Sequence, residues 1–204
     1  FLSNYTVDSV GETAMQHAGN IGIAYTYNEP TVYYEFMYDI AIAAKEKGLD
    51  NVVVTNGFIN PEPLEKLTDY VDAFAVDLKG FNDNFYSRYT GSQLEPVKEA
   101  LKIIRSKNKH IEITNLVIPT LNDDEDEFEQ MLDWIVKELG ENTVLHLSKY
   151  FPYYKMDLPP TPLETLLTLF EHARKRLNYV YLGNVGFVDK GRNTHCHKCN
   201  HLLI

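Results

Sequence analysis

Apolar residues recur along this chain in two alternating rhythms. Short apolar runs at residues 21–25, 51–55, 73–76, 111–118, 143–147 and 179–182 predict strands, and the β-branched Val52-Val53-Val54 is typical of them. Between them, apolar positions recur at helical spacing. Val97, Ala100, Leu101 and Ile104 form one stripe. Phe128, Met131, Leu132, Ile135, Val136 and Leu139 form a second, and Leu163, Leu166, Leu167, Phe170, Ala173 and Leu177 a third. Residues 32–47 and 61–70 complete the strong helical segments, with a weaker one over 8–17 ended by Gly19. Residues 81–94 read as an aromatic, polar connection with one or two helical turns.

The punctuation agrees with these elements. Gly48 and Gly140 stand where a left-handed C-terminal cap is wanted. Asn60 before Pro61 reads as a cap followed by proline in the first turn, and Pro96 reads as a helix start. Asn122-Asp123-Asp124-Glu125 supplies a cap and negative charge, and Thr161-Pro162-Leu163-Glu164 reads as a capping box.

Strands alternating with helices imply parallel pairing through right-handed crossovers. No Gly-rich dinucleotide turn is present, and nearly every strand ends in functional side chains. Barrel active sites sit at that strand end. The expected fold is therefore α/β, a partial TIM-like (β/α) barrel of parallel strands over 1–185 with a short Cys-x-x-Cys tail over 186–204. The strand at 21–25 reads as buried.

Composition narrows the function classes. With 204 residues and 44% hydrophobic content, the chain can bury one sizeable core. A net charge of -10 argues against nucleic acid and anionic membrane as partners. No apolar run approaches the roughly 18 residues of a membrane span, and no signal peptide is visible. The two cysteines, Cys196 and Cys199, do not make a disulfide scaffold, so a cytoplasmic location is the default. Chain numbering opens on Phe1, as a fragment of a longer protein would.

Several clusters carry chemistry, each with a plainer reading beside it. Glu29, between a strand and a helix, is either functional or a favourable carboxylate at a helix start. Asp77 and Lys79 share one face of a strand and could grip a zwitterion, or form a structural ion pair. Thr55-Asn56-Gly57 suits a turn as well as a site. His146, Lys149 and Tyr150 read as a rim, and residues 123–129 as a solvated helix start. In the tail His195-Cys196-His197-Lys198-Cys199-Asn200-His201, two thiols at knuckle spacing suggest zinc, with Cys196, Cys199, His195 and His201 as ligands. A disordered terminus or a redox thiol pair is the plainer alternative.

The strand-end motifs taken together resemble a known family. They are Ala24-Tyr25-Thr26-Tyr27-Asn28-Glu29-Pro30, Val54-Thr55-Asn56-Gly57-Phe58, Asp77-Leu78-Lys79-Gly80 and Val117-Ile118-Pro119. Tyr154-Lys155-Met156, Gly183-Asn184-Val185 and the tail from Cys196 continue the match. The chain resembles the radical S-adenosylmethionine (SAM) enzymes related to pyruvate formate-lyase activating enzyme, most closely the radical enzyme of the AmmeMemoRadiSam system. The resemblance implies reductive cleavage of SAM by a 4Fe-4S cluster, giving a deoxyadenosyl radical for hydrogen abstraction, with glycyl-radical enzyme activation as one outcome. It implies SAM contacts at Thr26, Tyr27, Asn28, Glu29, Pro30, Thr55, Asn56, Ile118 and Pro119, with Asp77 and Lys79 both binding the methionine part of SAM and acting at the reaction chamber. It also implies a protein or small-molecule substrate and an electron donor such as ferredoxin or flavodoxin.

The family's three cluster cysteines, spaced C-x3-C-x2-C after the first barrel strand, are absent. The resemblance therefore places that strand and the cluster ligands upstream, and implies that these residues alone are inactive. Phe151 stands where many relatives have a histidine. Two alternatives differ in class: a non-catalytic barrel that binds a partner and keeps the zinc knuckle, and an unrelated barrel lyase using Lys79.

Overall fold

Each helical stripe forms a helix and turns its apolar face inward. The computed structural model describes residues 5–186 and 188–204, so the first residues of the expected 1–185 segment and Phe187 of the tail lie outside it. In chain order the elements are α1 (Val7–Gln16), β1 (Gly22–Tyr25), a 3-10 turn (Pro30–Tyr33) leading into α2 (Tyr34–Glu46), β2 (Asp50–Thr55), α3 (Pro61–Thr68) and β3 (Ala73–Asp77). A single turn α4 (Asp83–Phe85) runs into a π turn (Tyr86–Thr90). Then come α5 (Leu94–Ser106), β4 (His110–Val117), α6 (Glu125–Glu138), β5 (Val144–Lys149), α7 (Leu163–Arg174) and β6 (Tyr179–Gly183).

The six strands belong to one parallel sheet in the order β1-β2-β3-β4-β5-β6. A strand order that follows the chain without reversing is the progression of a (β/α) barrel. A doubly wound sheet reverses at a switch point. β1 departs from its reading as a buried strand: Tyr25 is its buried residue, Ala24 is exposed, and Ile21 before it is 78% exposed. It is the end strand of the sheet order and pairs on one side, with β2. Among the described residues no helix is long and apolar enough to cross a membrane.

The chain divides into two compact units, Phe1–Val76 with Glu99–Ile111, and Asp77–Lys98 with Glu112–Ile204. In the first, Met37, Ile40, Ala41 and Ala44 of α2, Val53 of β2, Leu64 and Leu67 of α3, and Leu101 and Ile104 are buried. Asn51, buried at the start of β2, is fully satisfied. It donates Nδ2 to the carbonyls of Ala41 and Tyr70, each at 2.9 Å, and accepts from the Tyr25 hydroxyl at 2.9 Å. Burial first, and the nearby Tyr33 phenol second, push the Tyr25 hydroxyl well above its ordinary pKa, so it stays a donor. Burial would raise the Asp72 carboxyl. The bond from Lys45 (2.6 Å) and that from the Asn51 N–H (2.8 Å) outweigh it and hold the group below the usual carboxylate range.

In the second unit the core combines Ile113 and Val117 of β4, Phe128, Met131, Leu132 and Ile135 of α6, Leu145 and Leu147 of β5, and Leu166, Leu169 and Phe170 of α7. The expected capping box at 161–164 does not form. α7 starts after Pro162 with no side-chain cap. The Thr161 hydroxyl is spent elsewhere: it donates to the Val117 carbonyl at 2.6 Å and accepts from the Tyr150 N–H at 2.9 Å, joining the chain beyond β4 and β5. In the first unit, Asn60 occupies the N-cap position of α3 but makes no capping hydrogen bond. Asp124 does cap α6, accepting from the Glu127 N–H at 2.9 Å. α5 begins at Leu94, two residues ahead of Pro96, which its first turn tolerates because that N–H has no helical partner.

Candidate functional site

The tip of β2 is shaped by a carboxylate from the tip of β1. Glu29 caps the 3-10 turn, with Oε1 accepting from the Thr31 N–H at 3.2 Å and the Thr31 hydroxyl at 3.1 Å. The same oxygen accepts from the Thr55 hydroxyl at 2.6 Å, and Oε2 accepts from the Asn56 N–H at 2.7 Å. The turn then continues by its own side chains. Gly57 N–H donates to Thr55 Oγ1 at 3.1 Å, and Phe58 N–H to Asn56 Oδ1 at 2.8 Å. Gly57 takes φ 72°, the left-handed region that glycine enters without penalty. Three consecutive N–H groups are thereby taken up, one by Glu29 and two by the turn's own side chains. The plain turn reading and the functional one are compatible here. Tyr33 donates its hydroxyl to the Thr26 carbonyl at 2.8 Å. Tyr27 and Asn28 are exposed, and Pro30 is buried.

In the second unit, Lys79 Nζ donates to Asp77 Oδ2 at 2.7 Å, with about a third of each side chain exposed (37% and 33%). The pair is desolvated enough to be oriented and open enough to be reached. Its loop is held by side chains that the sequence reading did not connect with it. Asn115 donates to the Leu78 carbonyl at 2.8 Å, Lys79 N–H donates to the Tyr86 hydroxyl at 3.3 Å, and Phe81 N–H to Glu127 Oε1 at 2.9 Å. Asn122 bonds the Lys79 carbonyl and, at 2.8 Å, that of Leu116, while accepting from the Ile118 N–H at 2.6 Å. Asn122 thus ties the Lys79 loop to the end of β4, where Ile118 and Pro119 lie buried. Gly80 admits no side chain, because a Cβ there would stand 2.7 Å from the Phe85 ring.

The rim residues divide. Tyr150 is buried and donates to the Met156 carbonyl at 3.1 Å, a structural role. His146 pairs through Nε2 with Glu112 at 2.7 Å and stacks on Tyr181 at 5.4 Å between centroids. Residues 123–129 are more than a solvated helix start, since Glu127 supports the Lys79 loop and Glu129 pairs with Arg176 at 3.0 Å.

The zinc site expected in the tail is not supported. Cys196 and Cys199 are free thiols, and among the described residues no three His, Cys, Asp or Glu side chains gather on a metal position. His195 forms a β-bridge with Leu202, and His197 Nδ1 meets the Tyr179 hydroxyl at 3.2 Å. The N–H groups of Cys199 and then Lys198, followed by the Cys199 thiol, lower the Cys196 pKa. The tail runs along β6, where Leu182 N–H donates to the Gly191 carbonyl at 3.0 Å and the hydroxyls of Tyr181 and Thr194 meet at 2.8 Å.

Residues 3–135 match the family model of the radical SAM superfamily. The chain belongs to this superfamily. An uncharacterized protein of Methanocaldococcus jannaschii, MJ0808, is 47% identical over 189 residues, covering 90% of this chain and 54% of that protein. Pyruvate formate-lyase 1-activating enzyme of Escherichia coli is 25% identical over 142 residues, covering 69% of this chain and 56% of the enzyme. The chain thus spans about half the length of the curated relatives it matches. A solved domain of pyruvate-formate lyase-activating enzyme from Bacteroides vulgatus superposes with a TM-score of 0.69 at 17% identity, covering 79% of this chain and 98% of that domain. The shared fold is the radical SAM partial barrel, as the strand order indicates. The superfamily's 4Fe-4S cluster needs three thiolates, and two cysteines, both in the tail, do not fit that set.

Proposed function

We propose that this chain carries SAM-binding residues of a radical SAM enzyme related to the glycyl-radical activating enzymes. The observation that carries the reading is the strapped Asp77–Lys79 pair at the end of β3, about a third exposed. A carboxylate and an ammonium held together match the two charges of the amino-acid end of SAM, and charge-assisted hydrogen bonds are the strong ones. In the same unit, Ile118 and Pro119 are proposed as an apolar support for the adenine.

Cleaved with one electron supplied from outside these residues, bound SAM would give methionine and a deoxyadenosyl radical able to abstract hydrogen from a substrate. The chain's own groups bind and orient. Lys79 donates to the methionyl carboxylate, Asp77 accepts from the methionyl ammonium, and Asn122 keeps the loop that carries them in place. Relatives named as pyruvate formate-lyase activating enzymes support a protein substrate, and a ferredoxin or flavodoxin is the proposed electron source.

Calorimetry on the native gene product tests the reading through the amino-acid end. SAM is expected to bind at least about tenfold tighter than methylthioadenosine, which lacks that end, as loss of one charge-assisted bond implies. Equal affinity for the two, or none for SAM, contradicts the proposal.

A further inference from the structure

We infer that the turn at residues 150–156 is a docking surface for an acidic, extended segment of a protein substrate. The inference rests on the SAM reading above and names the chemistry of the partner that such a reaction needs.

The turn is firmly built and turns its rings outward. Tyr150 anchors it: the N–H donates to Thr161 Oγ1 at 2.9 Å, the carbonyl accepts from the Thr161 N–H at 3.2 Å, and the hydroxyl donates to the Met156 carbonyl at 3.1 Å. Tyr153 and Met156 close it as an antiparallel bridge, with the Met156 N–H donating to the Tyr153 carbonyl at 3.2 Å. Yet Tyr153 and Tyr154 are 88% and 86% exposed, and Phe151 is 54% exposed. Among the described residues neither tyrosine hydroxyl has a hydrogen-bond partner. Tyr154 also holds φ at 58°, a left-handed backbone that bulky residues rarely adopt. Packing inside the fold does not explain it, because the ring stands in solvent. Strain of this kind collects at functional sites.

Charge selects the occupant. Residues 148–156 carry Lys149 and Lys155 and no carboxylate, in a chain of net charge -10. Lys149 Nζ stands 5.2 Å from the Phe151 ring centroid, and Lys155 Nζ 5.2 Å from that of Tyr154. Among the described residues neither ammonium pairs with a carboxylate, the adjacent Asp157 included. Exposed rings beside unpaired ammonium groups suit a segment that brings carboxylates and lays apolar atoms on the rings, and tyrosine is enriched at such interfaces. Nucleic acid fits less well, since two lysines would have to hold it against the charge of the whole chain. The location agrees. Thr161, which anchors Tyr150, also donates to the Val117 carbonyl at the end of β4 at 2.6 Å, and Asn122 ties that strand end to the Lys79 loop. A segment lying on the turn therefore runs along the end of the sheet that carries the proposed SAM residues.

Fluorescence anisotropy on the native gene product tests this with a labelled synthetic peptide of glutamate, glycine and leucine and with its glutamine counterpart. The glutamate peptide is expected to bind at least about tenfold tighter than the glutamine one, and to weaken with added salt, although the rest of the chain repels it. Lys155→Glu is expected to cost about tenfold in that affinity. Tyr154→Gly removes the ring and suits the left-handed φ, so a loss of about threefold or more is expected with no fall in melting temperature. Both variants should bind SAM as the wild type does. Equal binding of the two peptides, wild-type affinity for the glutamate peptide in both variants, or tighter binding of oligouridylate than of that peptide would overturn the inference. A protein that binds SAM and neither peptide overturns this inference alone. One that binds the glutamate peptide but no SAM overturns the SAM reading and leaves the docking surface standing.

Discussion

Lys79→Ala is expected to weaken SAM binding by about 1.5–3 kcal/mol, roughly ten- to a hundredfold in Kd, without unfolding the protein. The ammonium is 37% exposed and, among the described residues, pairs through its side chain with Asp77, so its removal leaves the core untouched. The loop itself stays held through the backbone of Leu78, Lys79 and Phe81. Asp77→Ala is expected to weaken binding comparably, because each variant leaves one charge of the pair facing the ligand without its complement. Titration of both variants, beside their melting temperatures, checks this. Wild-type affinity in both would remove the pair from the site.

Asn122→Leu is expected to destabilise the second unit strongly. Asn122 is 5% exposed, and its amide serves the Ile118 N–H and the carbonyls of Leu116 and Lys79. Leucine of similar size leaves all three unpaired in a dry place. Each buried group left without a partner costs about 1–3 kcal/mol, so a loss of about 3 kcal/mol or more is expected. In a chain of this size that lowers the melting temperature by about 6–12 °C. Asn60→Ala is the contrast: its side chain caps nothing, so the change should fall within about 0.5 kcal/mol. Thermal unfolding of the pair decides it, and an Asn122→Leu protein as stable as Asn60→Ala would refute the role given to Asn122.

The difference between these two asparagines shows what the sequence could disclose. Elements were legible because their signal is periodic. The stripe from Phe128 to Leu139 has α-helical spacing, and the run Val52-Val53-Val54 has no other reading beside Gly48 and Gly57. The candidate residues Glu29, Asn56, Asp77 and Lys79 stood out because they follow apolar runs directly. Partners set by tertiary contact were not legible. Asn122 sits beside a real cap, Asp124, and nothing local distinguishes an amide that caps a helix from one that ties the Lys79 carbonyl to the end of β4. Thr161 misled for the same reason. Its capping-box spacing is intact, yet the strand ends at Val117 and Tyr150 compete for the hydroxyl and win.

β1 and the tail failed differently. An apolar run such as 21–25 is the same string whether its strand is central or terminal, and the sheet order makes β1 terminal. Cys196 and Cys199 have knuckle spacing, but spacing cannot show whether further ligands arrive. Among the described residues no three ligand side chains gather there, and the His197 ring meets the Tyr179 hydroxyl instead. Glu29 is the intermediate case. Its position at a strand end marked it, while the four donors that fill its carboxylate were visible only in the fold.

The central claim, that Asp77 and Lys79 serve a radical SAM reaction, is tested most directly by SAM cleavage. The native gene product, reconstituted anaerobically with iron and sulfide and reduced with dithionite, is assayed for 5′-deoxyadenosine and methionine. The account predicts that wild type forms both in equal amounts and that Lys79→Ala, with the same iron content and melting temperature, loses at least about tenfold in cleavage at low SAM. Cleavage by Lys79→Ala and Asp77→Ala at the wild-type rate, or a reconstituted wild-type protein that leaves SAM intact, would contradict it.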